Sequence, residues 1–211
     1  RDHTAVAWSG ANGAPKMTIF GGQVDHANVK LGDVHTLELT TGVWSGLLIT
    51  TGEPPSARWG HTAVSWRDAA NGAPKMTIFG GESTTSVLLG DVNTLDITTG
   101  VWSGPINTTG TAPVARRDHT AVAWTGASGA PKMTIFGGAR GVIESPSTVS
   151  LNDVHNLDLT TGTWSGELIT TGTAPAARQG HSAVSWSNSA IDNQMTVFGG
   201  TGGTKYFSDM H

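Results

Sequence analysis

The chain has 211 residues with 29 Gly, 9 Pro and only 13% charged side chains, a turn-rich globular composition that argues against disorder or a coiled coil. Its net charge of −4, with 12 Lys+Arg spread through the length, offers no basic stripe for a phosphate backbone and so argues against nucleic acid as a partner. Zero cysteines remove disulfides, thiolate nucleophiles and Cys-ligated zinc; no apolar run approaches the roughly twenty residues that span a bilayer, so membrane insertion is not expected.

The chain opens on Arg1-Asp2-His3-Thr4-Ala5-Val6-Ala7-Trp8, and this segment recurs around His61, His119 and His181, each copy running on into Met-Thr-Ile/Val-Phe-Gly-Gly. The histidines are spaced by 58, 58 and 62 residues, a period that marks stacked supersecondary units. The units run approximately 1–58, 59–116, 117–178 and 179–211, the last incomplete, and form one region over 1–211.

Within the second unit, His61 to Trp66 is a short alternating run, Asn71-Gly72-Ala73-Pro74 turns the chain, and Met76 to Phe79 is a second run ending on Gly80-Gly81. Asp91 to Ile97 alternates again, Thr98-Thr99-Gly100 turns, and Val101 to Ile106 makes a fourth run. Four short antiparallel strands per unit read as a β-propeller blade, and no segment carries helical periodicity. Ala5, Ala7, Ala63, Ser65, Ala121, Ala123, Ala183 and Ser185 give the first strands one small-residue face suited to a crowded axis. Val6 with Trp8 and Val64 with Trp66 lie on the other face, where they are expected to fill the space between blades.

At this level the units resemble kelch repeats. The features that carry the resemblance are the pairs Gly21-Gly22, Gly80-Gly81, Gly137-Gly138 and Gly199-Gly200, the Asp-Val entries at Asp33, Asp91 and Asp153, and the following Trp44, Trp102 and Trp164. Arg58-x-x-His61, Arg116-x-x-His119 and Arg178-x-x-His181 complete the pattern, which covers essentially the whole chain. The resemblance implies an all-β, kelch-type propeller related to galactose-oxidase-like folds. Such propellers close with five to seven blades, whereas three blades and about half of a fourth are present. Further blades of a longer protein, self-association of two copies, or closure as a small four-bladed ring would each complete it.

In an up-and-down blade the first and third connections share one face, and the second connection and inter-blade link share the other. The first connection is nearly invariant, and the third is Thr-Thr-Gly in each complete unit, as turn chemistry requires. The second diverges in length and chemistry, which is what a recognition surface on a rigid scaffold shows. Asp25, His26 and Lys30, then Glu82, then Arg140 and Glu144, then Lys205 and Tyr206 are its candidate binding residues. The inter-blade link adds Asp2, Trp59, Asp118 and Gln179 at one equivalent position, with Trp59 read either as an exposed contact anchor or as packing against a neighbouring loop.

Recurrence once per blade marks His3, His61, His119 and His181 as structural rather than catalytic, and Arg58, Arg116 and Arg178 read the same way. Asp33, Asp91 and Asp153 are expected to bind loop amides. Asp33 with His35, Asp153 with His155 and Asp209 with His211 put a carboxylate and an imidazole on one side of a strand, yet no third ligand is visible and Asn93 replaces the histidine in unit two. No metal, cofactor or catalytic residue is therefore assigned. Copper chemistry of the galactose-oxidase kind needs a Cys-crosslinked tyrosine, and Tyr206 is alone in a cysteine-free chain. The iron motif Glu-x-x-x-Asp-x-x-x-His of kelch-type specifier proteins does not occur. Kelch-type sugar isomerases rely on scattered charges and leave no local motif to test. The expected role is a protein–protein interaction scaffold, with a carbohydrate-binding or sugar-isomerising propeller as the alternative; Asn107-Thr108-Thr109 is the single N-glycosylation sequon.

Overall fold

Runs of small and β-branched residues closed off by Gly, Asn and Pro dictate short strands. A computed structural model describes residues 1–24, 29–141, 147–187 and 193–211, and those residues contain no helix. The chain divides into two compact units, Arg1–Asn107 and Thr108–His211.

The first unit begins with β1 (Thr4–Ser9), β2 (Pro15–Val24), β3 (Val29–Glu38) and β4 (Val43–Leu47), a fully antiparallel blade in that order. After β5 (Thr51–Glu53) and β6 (Arg58–Trp59) comes a second blade of β7 (Thr62–Arg67), β8 (Pro74–Phe79), β10 (Val92–Asp96) and β11 (Val101–Pro105). The short β9 (Glu82–Ser83) lies in the connection from β8 to β10 and pairs with β6. The second unit repeats the plan. Its β12 (Thr109–Thr111) precedes a third blade of β13 (Thr120–Thr125), β14 (Pro131–Arg140), β15 (Val149–Asp158) and β16 (Thr163–Glu167). Next come β17 (Ser182–Trp186) and β18 (Gln194–Phe198), the inner pair of a fourth blade, and the hairpin of β19 (Thr201–Gly202) and β20 (Lys205–Tyr206).

In two blades a fifth strand joins the expected four. β5 adds to the outer edge of the second blade, running parallel to β11 with Thr51, Gly52 and Glu53 opposite Val101, Trp102 and Ser103. In the second unit β12 adds to β16 in the equivalent register. Each is supplied by the segment leaving the preceding blade, and parallel pairing of residues some fifty positions apart leaves no local periodicity to read.

The alternation expected of the first strands places the core. In the first unit Val6, Phe20 and Val34 of the first blade pack with Met76, Ile78, Leu95, Ile97 and Trp102 of the second, and Trp8, Leu48 and Ala63 close the margin. The Phe20 and Trp102 rings meet edge to face with centroids 5.4 Å apart. Small Ala63 on β7 thus packs against this cluster of large side chains. Each Trp of a first strand also has a polar handle to satisfy. Trp8 Nε1 donates to Thr18 Oγ1 at 2.9 Å and Thr18 bonds Thr36 at 2.8 Å; Trp66, Thr77 and Thr94 repeat this at 2.8 and 2.7 Å.

The glycine pair ending each second strand is demanded by close approach. Gly21 and Gly22 hold φ of 65° and 98°, and a Cβ on either would strike the carbonyl of Arg58 or of Arg1. The strand register slips between Phe20 and Gly22, so β2 bends there and aims its continuation at the loop face.

Candidate functional site

The loop face is built on a strut that repeats in each blade. The link into a blade hydrogen-bonds to the start of that blade's second connection. Arg58 and Trp59 pair with Ser83 and Glu82 in the first unit, and in the second unit Arg117 bridges Ala139 and Gln179 bridges Thr201. In the first blade the Gln23 amide donates to the Arg1 carbonyl at 2.8 Å. Each variable loop therefore springs from a base fixed by backbone hydrogen bonds.

Beneath that base sits an arginine clamp. Arg58 is fully buried and donates from both Nη atoms to Asp91, at 2.7 and 2.8 Å, and from Nη1 to the Gly80 carbonyl at 3.0 Å. Arg116 holds Asp153 and Gly137 in the same way, and Arg178 holds Asp209 and Gly199. The planar fork matches the carboxylate bidentately, which a lysine cannot do. Burial alone would raise the Asp91 and Asp153 carboxyls, but the arginine bonds and charge, joined by the bond from Asn93 or His155, together outweigh it and hold both below the usual carboxylate range. Arg178 is likewise the main cause of the depressed Asp209 carboxyl.

The Asp-x-His pairs at 153–155 and 209–211 belong to this clamp, and Asp33 with His35 repeats their geometry in the first blade. His35, His155 and His211 place Nε2 2.9, 2.9 and 3.0 Å from Oδ2 of Asp33, Asp153 and Asp209, and Asn93 donates to Asp91 at 2.7 Å in the unit without a histidine. The side chain two residues on orients the carboxylate instead of waiting for an ion. Among the described residues no group of three or more His, Asp or Glu is arranged to hold a metal.

The recurrent histidine ties a blade to the one before it. His61 Nε2 meets Thr4 Oγ1 at 2.8 Å within the first unit, and His181 Nε2 meets Thr120 Oγ1 at 2.8 Å within the second. The His61 ring packs edge-on against Phe20, centroids 5.2 Å apart. Burial, reinforced by the nearby Arg58 charge, lowers His61 to about 3, and burial with Arg178 lowers His181 to about 4. These imidazoles are neutral linkers at ordinary pH.

Of the candidate binding residues, Arg140 ends β14 exposed, and Lys205 and Tyr206 stand out on β20 with Tyr206 88% exposed. Asp25, His26 and Glu144 lie outside the described residues. Three others sit deeper than the sequence implies. Trp59 is 9% exposed rather than an exposed anchor, because the Lys30 ammonium rides 5.8 Å over its ring and β6 is paired with β9. Lys30 and Glu82 are themselves 6% and 3% exposed. A lysine over an aromatic face keeps its charge favourably placed while burying its stem, so this trio forms the floor of the loop face in the first unit.

The link positions also need regrouping. Aligned on the histidine, Trp59 is equivalent to Arg117 and Gln179, while Asp2 and Asp118 are equivalent to Gly60 and Gly180. Asp2, Gly60, Asp118 and Gly180 all hold left-handed φ, between 55° and 63°. Asp2 accepts from Gln23 Nε2 at 2.8 Å, and Asp118 pairs with Arg117 at 2.6 Å. Gln23, 9% exposed, is a loop-face residue missed in the sequence. The alternation of Asp and Gly one residue before each histidine is the signal that finds the turn.

Comparison with known proteins agrees with this architecture. The family model described as the KLHDC2/KLHL20/DRC7 Kelch-repeats domain matches residues 2–211. Host cell factor 1 of Homo sapiens is 34% identical over 210 residues, covering 89% of this chain and 10% of the relative, so the chain spans about a tenth of that protein's length. Among solved structures, one titled "Structure of YjhT" superposes with a TM-score of 0.57 at 15% identity over 99% of this chain and 80% of that one. A chain from a cryo-EM structure of RAG with one melted and one unmelted RSS gives 0.61 at 16% identity over 99% and 66%. At such identities the two structures speak to fold alone.

Proposed function

Since the chain belongs to the kelch-repeat family and its fold is that of a kelch-type β-propeller, we propose that it is a protein-binding scaffold whose contact surface is the face carrying the second connections. Family membership and the likeness to host cell factor 1 support the protein-binding role. The single observation that carries the choice of face is the coexistence of a rigid base with exposed, non-repeating tips. The link-to-loop pairings recur from blade to blade, whereas the tips of the second unit present Arg140, Lys205 and Tyr206 without counterparts in the other repeats. A phenol that is 88% exposed, beside a lysine, is a side chain of the type that anchors protein interfaces.

The test is affinity capture from an extract of the protein's own source, with wild type beside Tyr206→Ala/Lys205→Glu and a turn variant on the opposite face, Asn71→Asp. The expected outcome is a partner held by wild type and Asn71→Asp and weakened by ~10-fold or more in the double variant, as loss of an interface anchor entails. Equal capture by all three would remove the loop face from consideration.

A further inference from the structure

The first and second blades meet at a cleft of about 380 Å³. Both blades have their four antiparallel strands, and both belong to the first unit. Alternation along β1 and β2 puts Trp8 and Lys16 on the side that carries Val6 and Phe20 into the core shared with the second blade. Thr36 lies beside them, and Leu48, Ile97 and Thr98 complete the wall. Gly10 to Asn12 of the first connection also line the cleft, which places it on the face opposite the variable loops.

Lys16 is the charged side chain of this cleft, and the other repeats show what it lacks. Lys75 Nζ pairs with Asp96 Oδ2 at 2.9 Å, and Lys132 Nζ pairs with Asp158 Oδ2 at 2.7 Å. Each of those short carboxylates serves two groups, because its Oδ1 also accepts the amides of the two threonines in the following turn. Across from Lys16 stands Glu38, one methylene longer, whose Oε1 takes the Thr40 hydroxyl at 3.3 Å. Among the described residues Lys16 forms no ion pair, and its ammonium lies 5.7 Å from the centre of the Trp8 ring. Both side chains are partly buried, so a counter-charge is worth more to this ammonium than to one in open water.

We propose that this cleft binds a small organic carboxylate with an apolar, ring-sized body. The carboxylate takes the place beside Lys16 that Asp96 and Asp158 fill beside their lysines, and Trp8, Leu48 and Ile97 supply the apolar wall. A volume near the lower end of the range for small-molecule pockets suits one ring and a short acid chain. The lysine fixes the orientation of such a ligand, and the indole and aliphatic side chains take its body out of water. The site lies away from the second connections, so carboxylate binding here and protein capture by the loop face can each fail alone.

The probe is 3-phenylpropionate, titrated into the chain and followed by NMR at the Trp8 indole N–H, whose signal is assigned with Trp8→Phe. Saturable shifts of that signal are expected. The neutral amide of the same acid should bind at least ~10-fold more weakly, as loss of a bond to a charged group entails. Lys16→Met keeps the stem and removes the charge, and Glu38→Asp restores the shorter carboxylate that occupies Lys75 and Lys132. Each should weaken binding of the acid by ~10-fold and leave binding of the amide unchanged, with far-UV circular dichroism confirming the fold. The two variants act from opposite sides of one ion pair, so a fold lost in one leaves the other as the test. No saturable shift at Trp8, equal affinity for acid and amide, or full affinity for the acid in a folded variant would each overturn the assignment.

Discussion

The first and second blades of the first unit carry nearly the same outer strand, Val43-Trp44-Ser45-Gly46 and Val101-Trp102-Ser103-Gly104, and bury it to very different depths. Trp102 is 2% exposed and Trp44 48%. Trp102 lies under β5 and against Phe20, whereas β4 is the last strand of its sheet. The difference teaches that burial in a repeat protein is conferred by the neighbouring unit rather than by the residue itself. Counting apolar residues in a repeat therefore overstates how much of its core is formed.

The sharpest way to break the comparison is to truncate both tryptophans. Trp102→Ala should cost about 3–5 kcal/mol, the range for a large core aromatic, and Trp44→Ala about 1 kcal/mol, as at a largely exposed position; urea unfolding measures both. Equal losses would mean that β4 is covered in solution.

Acidification should act next, at the junction between the two blades. The folded pKa of His61, about 3, lies below the ordinary 6.5, so the unfolded chain takes up the proton first. Stability is then full above about pH 6.5 and falls as pH drops toward 3, by about 1.4 kcal/mol per unit across that window. Below the ordinary carboxylate range the depressed Asp91 adds a loss of the same sign. In His61→Gln the slope between pH 6 and 4 should flatten, and an unchanged slope would place the linkage elsewhere.

Gly52→Val is designed to turn the second blade's edge into a copy of the first's, because a side chain at Gly52 meets the Trp102 carbonyl. The expected cost is about 1–3 kcal/mol, with Trp102 becoming accessible to a collisional quencher; no loss would show that β5 adds nothing. The smallest effect is the control. Thr18→Val and Thr77→Val each interrupt a relay from a first-strand tryptophan to a third-strand threonine, contained within one blade. Each should cost about 1 kcal/mol, and equally. Unequal costs would show that even this device depends on the neighbour.

Much of the site was legible because its parts recur. The Arg-x-x-His spacing, the Asp before the third strand and the paired glycines appear in register in successive units, and the structure joins the Arg and the Asp directly. What hid the burial of Trp59 was a contact from another repeat. Lys30, from the second connection of the first blade, covers a ring in the link into the second, and nothing near Trp59 in sequence announces it. The strained turn one residue before the histidine was visible only once the repeats were aligned on that histidine.

The tripeptide Thr-Thr-Gly marks the limit between the two sources of information. It occurs twice in each complete repeat, as at 98–100 and 108–110. At 98–100 it follows Asp96, whose Oδ1 accepts from the amides of Thr98 and Thr99 at 3.0 Å each, and a hairpin turn results. At 108–110 the residue two before is Ile106, no carboxylate is at hand, and Thr109 and Gly110 become part of a strand on β16. The sequence alone determined the period, the strand order within a blade and the turn at 98–100, since each rests on interactions among residues close along the chain. Only the tertiary structure decided the fate of the second triplet and the depth of each tryptophan, because a parallel edge strand takes its hydrogen bonds from a partner some fifty residues away.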